Sequence, residues 1–220
     1  MAVAKYDDHH VSRDSNIMLV MQQWIKVHLR KLEVAFMRYP AAETAEKHKN
    51  IIREASRLFR ERGFSGVSVA EIMQATGLTH GPFYNHFPSK EDLMAKSLEH
   101  GMQGTLAGIE QVGNSAKKTA EYLDRYLSTG HRDAPGTGCT MAALAADIRQ
   151  QSEVRRTFTA HVKAAIEKMV SSFFWRSKRS ARGDSIRVLS TTVGALILAR
   201  AVDDEAFSKE ILREARRGLA

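Results

Sequence analysis

From Met18 onward the apolar residues Met21, Ile25, Leu29, Leu32 and Phe36 recur at steps of three and four, the spacing of a helix with one apolar face. Pro40 closes that segment. A second stripe, Ile51, Ile52, Ala55, Leu58 and Phe59, predicts a helix over 44–62. Gly63 follows its last basic turn, where a left-handed C-cap is wanted, and Phe64 can fold back on the stripe. Ser68 and Glu71, three apart, form a capping box that opens a short helix through Ala75, and Gly77 ends it. Thr79 is placed to cap a third helix over 80–87, which Pro88 stops. Ser89 opens the next, with Glu91 and Asp92 against the positive end of its dipole. Helical stretches then follow over roughly 90–112, 116–128, 139–150, 152–176, 184–202 and 204–218. One long loop, 129–138, separates the second and third of these and carries Gly130, Gly136, Gly138 and Pro135.

Three short helices before residue 90, the last two divided only by Gly77, Leu78 and Thr79, describe a helix-turn-helix. Phe83 and Phe87 are four apart and face inward, locking the third helix across the first two with Ile72 and Leu78 beside the turn. The opposite face then offers Thr79, His80, Gly81, Tyr84, Asn85 and His86 to solvent. A helix of this size fits the major groove of B-DNA with its N-terminal residues at base edges. Gly81 lets the backbone approach closely, and Pro82 in a first turn costs no helical bond. Tyr84, His86, Ser68, Thr79 and Lys90 are suited to phosphates, which set register rather than sequence.

Composition narrows the class. Of 220 residues 43% are apolar, enough for a core, so wholesale disorder is out. One cysteine, Cys139, cannot form an internal disulfide or a CxxC site. No apolar run approaches the ~18 residues of a membrane span. The first 30 residues lack the pattern of a secretion signal. The expectation is a cytoplasmic, all-α protein without a membrane partner. The formal net charge of +8 favours an anionic partner, nucleic acid first. That excess does not sit on the helix-turn-helix: residues 43–95 carry seven basic and seven acidic side chains, and most of the surplus lies after 96, with a knot at Arg176, Lys178, Arg179 and Arg182. Charge permits a DNA partner without locating it.

The residues from Gly63-Phe64 through Ser68-Val69 and Ile72, then Gly77-Leu78-Thr79-His80-Gly81-Pro82-Phe83-Tyr84-Asn85-His86-Phe87-Pro88-Ser89-Lys90-Glu91-Asp92-Leu93, resemble the DNA-binding domain of the TetR family of tetracycline-repressor-like regulators over about 50 residues. His80 stands where that family often has Lys, and Pro82 is less usual, so no operator sequence carries over. The resemblance implies a homodimeric, usually repressing transcription factor that binds palindromic double-stranded operator DNA and whose second domain takes a small-molecule effector. It continues more loosely through 129–147 and 194–204. The implied architecture is an N-terminal three-helix DNA-binding domain with a helix-turn-helix plus a C-terminal helical ligand-binding and dimerisation domain. Its parts are an extension over 1–42, the reading domain over 43–90 and the second domain over 91–220.

The helix holding Val188, Leu189, Val193, Leu196, Ile197 and Ala199 is apolar over most of its circumference, with small Gly194 and Ala195. It belongs in a core or in a subunit interface. With Phe207, Ile211, Leu212 and Ala215 it resembles the paired helices of the family's four-helix dimer interface. The resemblance also implies a cavity. Met102, Leu106, Tyr126, Met141, Phe158, Val162, Met169 and Phe173 are candidates to line it, although Met and aromatic residues at helical spacing equally fit a plain core.

Cys139 starts a helix after the Gly138 turn, where the dipole favours a thiolate, with Arg132 expected nearby. It is a candidate sensor of oxidants or electrophiles; a buried small residue at a helix start explains it without redox chemistry. The extension is open in the same way, as a flexible arm, an upstream translation start before Met37, or a helix touching the dimer or neighbouring DNA. No enzymatic constellation, metal site or cofactor is expected. Gly136-Thr137-Gly138 has no preceding strand, the nine histidines contain no HExxH pair, and no nucleophile sits in an elbow. Two rivals remain: a helical enzyme using the cavity, and a helix-turn-helix interaction module that binds no DNA, which the balanced charge of 43–95 favours.

Overall fold

A computed structural model describes residues 21, 23–26, 41–149 and 151–219 of the chain. The apolar stripe expected over 18–36 lies mostly outside the described residues. Met21 and Ile25 are seen, helical and exposed, with Trp24 exposed between them. The described residues fall into two compact units, one ending at Lys47 and the other running from His48 to Ala220.

Among the described residues every regular element is helical. In order they are α1 (Ala41–Arg62), α2 (Val69–Ala75), α3 (Phe83–His86), α4 (Lys90–Glu110), α5 (Ala116–Tyr126), α6 (Thr129–Asp133), a 3-10 turn (Pro135–Thr137), α7 (Thr140–Ile148), α8 (Ser152–Ser172), α9 (Ala181–Ala201) and α10 (Glu205–Arg217). None is long and apolar enough to cross a membrane.

The expected punctuation of the first elements is present. Gly63 sits at φ +73° after α1, and Gly77 takes the same φ after α2, a backbone region that side chains with a Cβ resist. The Ser68 hydroxyl accepts from the Glu71 amide at 3.2 Å, while the Glu71 carboxylate accepts from the Ser68 amide at 2.8 Å. Ser89 caps α4 by accepting from the Asp92 amide at 3.1 Å. Phe59 and Phe64 meet edge to face with centroids 5.0 Å apart, and Ile72, Phe83, Phe87 and Leu93 join them in one buried core.

Two expectations are corrected. The third helix is a single turn, not 80–87, and Thr79 does not cap it; the residue before it is Pro82, with no side-chain cap. The Phe83 amide instead bonds to the His80 carbonyl at 3.1 Å, closing a turn over His80, Gly81 and Pro82. Pro82 has no amide to donate, and a residue preceding proline is pushed out of the α region. The stretch 129–138 is likewise not one loop. Ser128 caps α6 by accepting from the His131 amide at 3.1 Å, and Pro135 starts the 3-10 turn.

Behind the first three helices, α4 packs chiefly along α8, and α9 packs on both α8 and α10. The basic knot Arg176, Lys178, Arg179 and Arg182 lies exposed around the α8–α9 turn.

Candidate nucleic-acid interface and internal cavity

The single turn α3 is held from below. Phe83 and Phe87 are buried and stack with centroids 5.6 Å apart, and the His48 ring of α1 stacks on Phe87 at 4.6 Å. With those two rings pinned, helical geometry turns the residues between them outward. Tyr84 is 66% exposed, and His80, Gly81 and Asn85 are exposed beside it. The His80 and Tyr84 rings meet edge-on at 6.3 Å. Pro82 and His86 are half-buried, and His86 leans toward His48, with centroids 5.9 Å apart.

Two residues expected at phosphates do other work. The Lys90 ammonium donates to the carbonyls of Phe64 at 2.9 Å and Val67 at 2.6 Å, so it clamps the α1–α2 connection to the start of α4. The Ser68 hydroxyl is used in both directions by Glu71, accepting from its amide and donating to its carboxylate. Thr79 is exposed at the turn, free of any capping duty.

A cavity of about 690 Å³ opens on the far side of α1, among α1, α4, α5, α6 and the 3-10 turn. Gly101, Gly104 and Gly108 line it from α4, Tyr122, Arg125 and Tyr126 from α5, and Arg60, His131 and Cys139 complete the wall. The Arg60 guanidinium donates to the Gly136 carbonyl from Nε at 2.9 Å and from Nη2 at 2.5 Å, with Thr140 Oγ1 at 3.4 Å from Nη1. Burial pulls its pKa below the ordinary arginine value. His131 is fixed as a neutral ring: Nδ1 lies 2.7 Å from the Tyr126 carbonyl, and Nε2 accepts from the Cys139 amide at 3.0 Å. Burial, more than any charge, lowers its pKa. Burial pushes the Tyr126 phenol well up, so it is a proton donor at neutral pH, yet its oxygen has no hydrogen-bond partner. The Cys139 thiol beside it is a weak partner that does not reach bonding geometry.

The profile described as "Bacterial regulatory proteins, tetR family" matches residues 51–96, which span α1 beyond its first turns, α2, α3 and the start of α4. Residues 51–96 thus match the DNA-binding part of TetR-family regulators, and the matches support a regulator of that kind. A TetR-family transcriptional regulator from Agrobacterium tumefaciens superposes with a TM-score of 0.64 at 25% identity, covering 79% of this chain and 97% of that one. The repressor DhaR of Mycobacterium sp. (strain GP1) is 27% identical over 112 residues, which is 50% of this chain and 56% of DhaR. The uncharacterised regulator YerO of Bacillus subtilis (strain 168) is 40% identical over 90 residues, 40% of this chain and 31% of YerO. The chain thus spans about half the length, or less, of these two relatives.

The cavity has a different lining from the one the apolar spacing predicts. Of the expected residues only Tyr126 borders it. Met102, Met141, Met169 and Phe173 are buried in the core, and Leu106, Phe158 and Val162 pack partly buried against it. The reason is size: long apolar side chains fill the seam between α4 and α8, while open space is left at Gly104, where an added Cβ would meet nothing within 4 Å, and Gly101 lets Arg60 and Thr140 approach α4 closely. The overlooked signal was Gly101, Gly104 and Gly108 on one face of α4, each costing a helix about 1 kcal/mol relative to alanine. Cys139 does begin a helix, α7, and does line the cavity. Arg132 is not its neighbour; that guanidinium pairs with Asp133 and Glu205 and donates to Ser208 Oγ at 2.8 Å.

Proposed function

We propose that the protein is a dimeric transcriptional repressor that binds palindromic double-stranded DNA through residues 43–90, and that a small molecule taken into 91–220 releases it in the cytoplasm. The observation that carries this reading is the division of α3: Phe83 and Phe87 inward, His80, Tyr84 and Asn85 outward. The outward groups are short, polar or aromatic, and mounted on a buried base, as base-edge readers in a major groove must be. Dimerisation is supported by α9 and α10. Val188, Ala195, Leu196 and Ala199 of α9 face the core, yet Ile186, Ile197 and Leu198 remain exposed, as does Phe207 of α10. A Cβ added at Gly194 would meet nothing within 4 Å, which leaves room for a second copy to approach closely. An effector acts by favouring a conformer whose two heads no longer match successive grooves.

A mobility shift with the DNA upstream of the protein's own gene tests the reading. Binding should weaken steeply with salt. Asn85→Ala should lower affinity about tenfold or more, at ~1–3 kcal/mol for a base contact, with its melting temperature unchanged. Failure to shift that fragment or any double-stranded DNA would favour the interaction-module reading. The place of Cys139 in the cavity wall favours one second reading, release by an electrophile that alkylates the thiol. Release by N-ethylmaleimide that survives Cys139→Ser would remove it.

A further inference from the structure

The cavity wall is one-sided in charge. Arg60, Arg125, His100 and His131 line it, and among the described residues no lining residue is acidic. Arg60 is part-buried with a carbonyl and a hydroxyl as its hydrogen-bond partners; no carboxylate bonds to it, and the Glu61 charge reaches it only at longer range. A little farther out, Arg200 donates to the carbonyls of His131 and Arg132 at 2.9 Å each, adding a second half-buried guanidinium held by neutral oxygens. In the same wall the Tyr126 hydroxyl is buried, with no hydrogen-bond partner among the described residues. A buried donor without an acceptor and a part-buried cation with no carboxylate bonded to it, in one cavity wall, favour a ligand that supplies an acceptor and a negative charge. The rest of the wall suits the body of such a ligand. The Tyr122 and Tyr126 rings stand 6.2 Å apart with their planes 30° from parallel, and Gly104, where an added Cβ would meet nothing within 4 Å, leaves room on the α4 side.

We propose that the effector is a small organic carboxylate on a planar, apolar body, its acid group accepting from Arg60 and the Tyr126 hydroxyl, and Arg125 closing over it at the mouth. This rests on the reading of the protein as an effector-released regulator and names the chemical class of that effector. It also names the first residue to respond. Arg60 belongs to α1, the helix whose His48 supports α3, and its bonds to Gly136 and Thr140 tie that helix to the 3-10 turn and α7. An anion at Arg60 competes with those bonds and loosens the tie.

The test uses the full chain with benzoate, 3-phenylpropanoate and octanoate, each against its primary amide, read by titration calorimetry and thermal shift. At least one carboxylate should bind tenfold or more tightly than its amide and raise the melting temperature. Tyr126→Phe and Arg125→Gln should each reduce that preference at least threefold without lowering the melting temperature of the free protein. Arg60 is left out of the primary variants because its removal also unties α1 from the 3-10 turn. Equal binding of acids and amides, preference for the amides, or no binding by any of the six compounds would overturn the proposal. A mobility shift on the upstream DNA is run in parallel. Carboxylate preference without any DNA complex would remove the regulator reading and keep the cavity's ligand class. A DNA complex with no carboxylate preference would do the reverse.

Discussion

At the scale of single residues, burial and neighbours decide roles that residue type leaves open. His48 stacks on Phe87 beneath α3, and its pKa is lowered by burial first, then by the positive charges of Lys96 and His86, against a smaller opposing effect from Asp92. Above the ordinary value of 6.5 folded and unfolded chains are both neutral at this site. As pH falls through 6.5 the unfolded chain takes the proton first, so stability is lost on acidification. His131 adds an effect of the same sign. Melting temperature should therefore fall between pH 7.5 and 5.5, and His48→Gln should flatten that fall without abolishing it. A slope identical to wild type would mean that His48 does not couple to folding. Lys90 yields a second expectation. With its ammonium on the Phe64 and Val67 carbonyls, Lys90→Ala should cost about 2 kcal/mol of stability, the worth of charged hydrogen bonds, as read by urea unfolding. The salt slope of DNA binding should barely change, whereas a phosphate ligand would lower it by about one. The outward aim of Tyr84 and Asn85 was legible in the spacing of Phe83 and Phe87. The inward reach of Lys90 was not, because nothing local to a lysine after a serine cap says that the chain returns to it from more than twenty residues upstream.

At the scale of elements, legibility followed the range of the forces. Capping is settled within four residues, so Ser68, Gly63, Gly77 and Ser89 read correctly from their neighbours. Ser68→Ala should cost about 1 kcal/mol, visible in urea unfolding. Thr79→Ala should cost no more than a few tenths, since no helix begins on it; a full cap's worth there would contradict the observed turn. Of the two misreadings one is equally local in cause and the other is not. Proline at position 82 was placed inside a helix, where the first turn tolerates it, but its effect on Gly81 before it keeps the turn from continuing into helix. The three glycines of 129–138 pointed to loop, yet Ser128 offers a cap, and the Arg200 guanidinium holds the carbonyls of His131 and Arg132. That support comes from 68 and 69 residues away and leaves no mark on the local pattern.

At the scale of the whole molecule, an all-helical core was readable because periodicity reports which faces are apolar; what it cannot report is which apolar face meets its own chain. On α9 the inward row and the exposed row of Ile186, Ile197 and Leu198 look alike in sequence. Leu198→Arg should shift the protein toward monomer in sedimentation velocity and weaken operator binding together, while its melting temperature changes little because the side chain is 57% exposed. If the protein pairs on DNA as proposed, the brevity of α3 carries its own consequence. One helical turn can touch only a few base pairs, and with each worth ~1–3 kcal/mol one half of the target occurs by chance all over a genome. Discrimination would then reside less in the letters than in the interval between halves: one inserted base pair turns the second half by roughly 36°, from about ten pairs per turn, and about five turn it to the opposite side of the duplex.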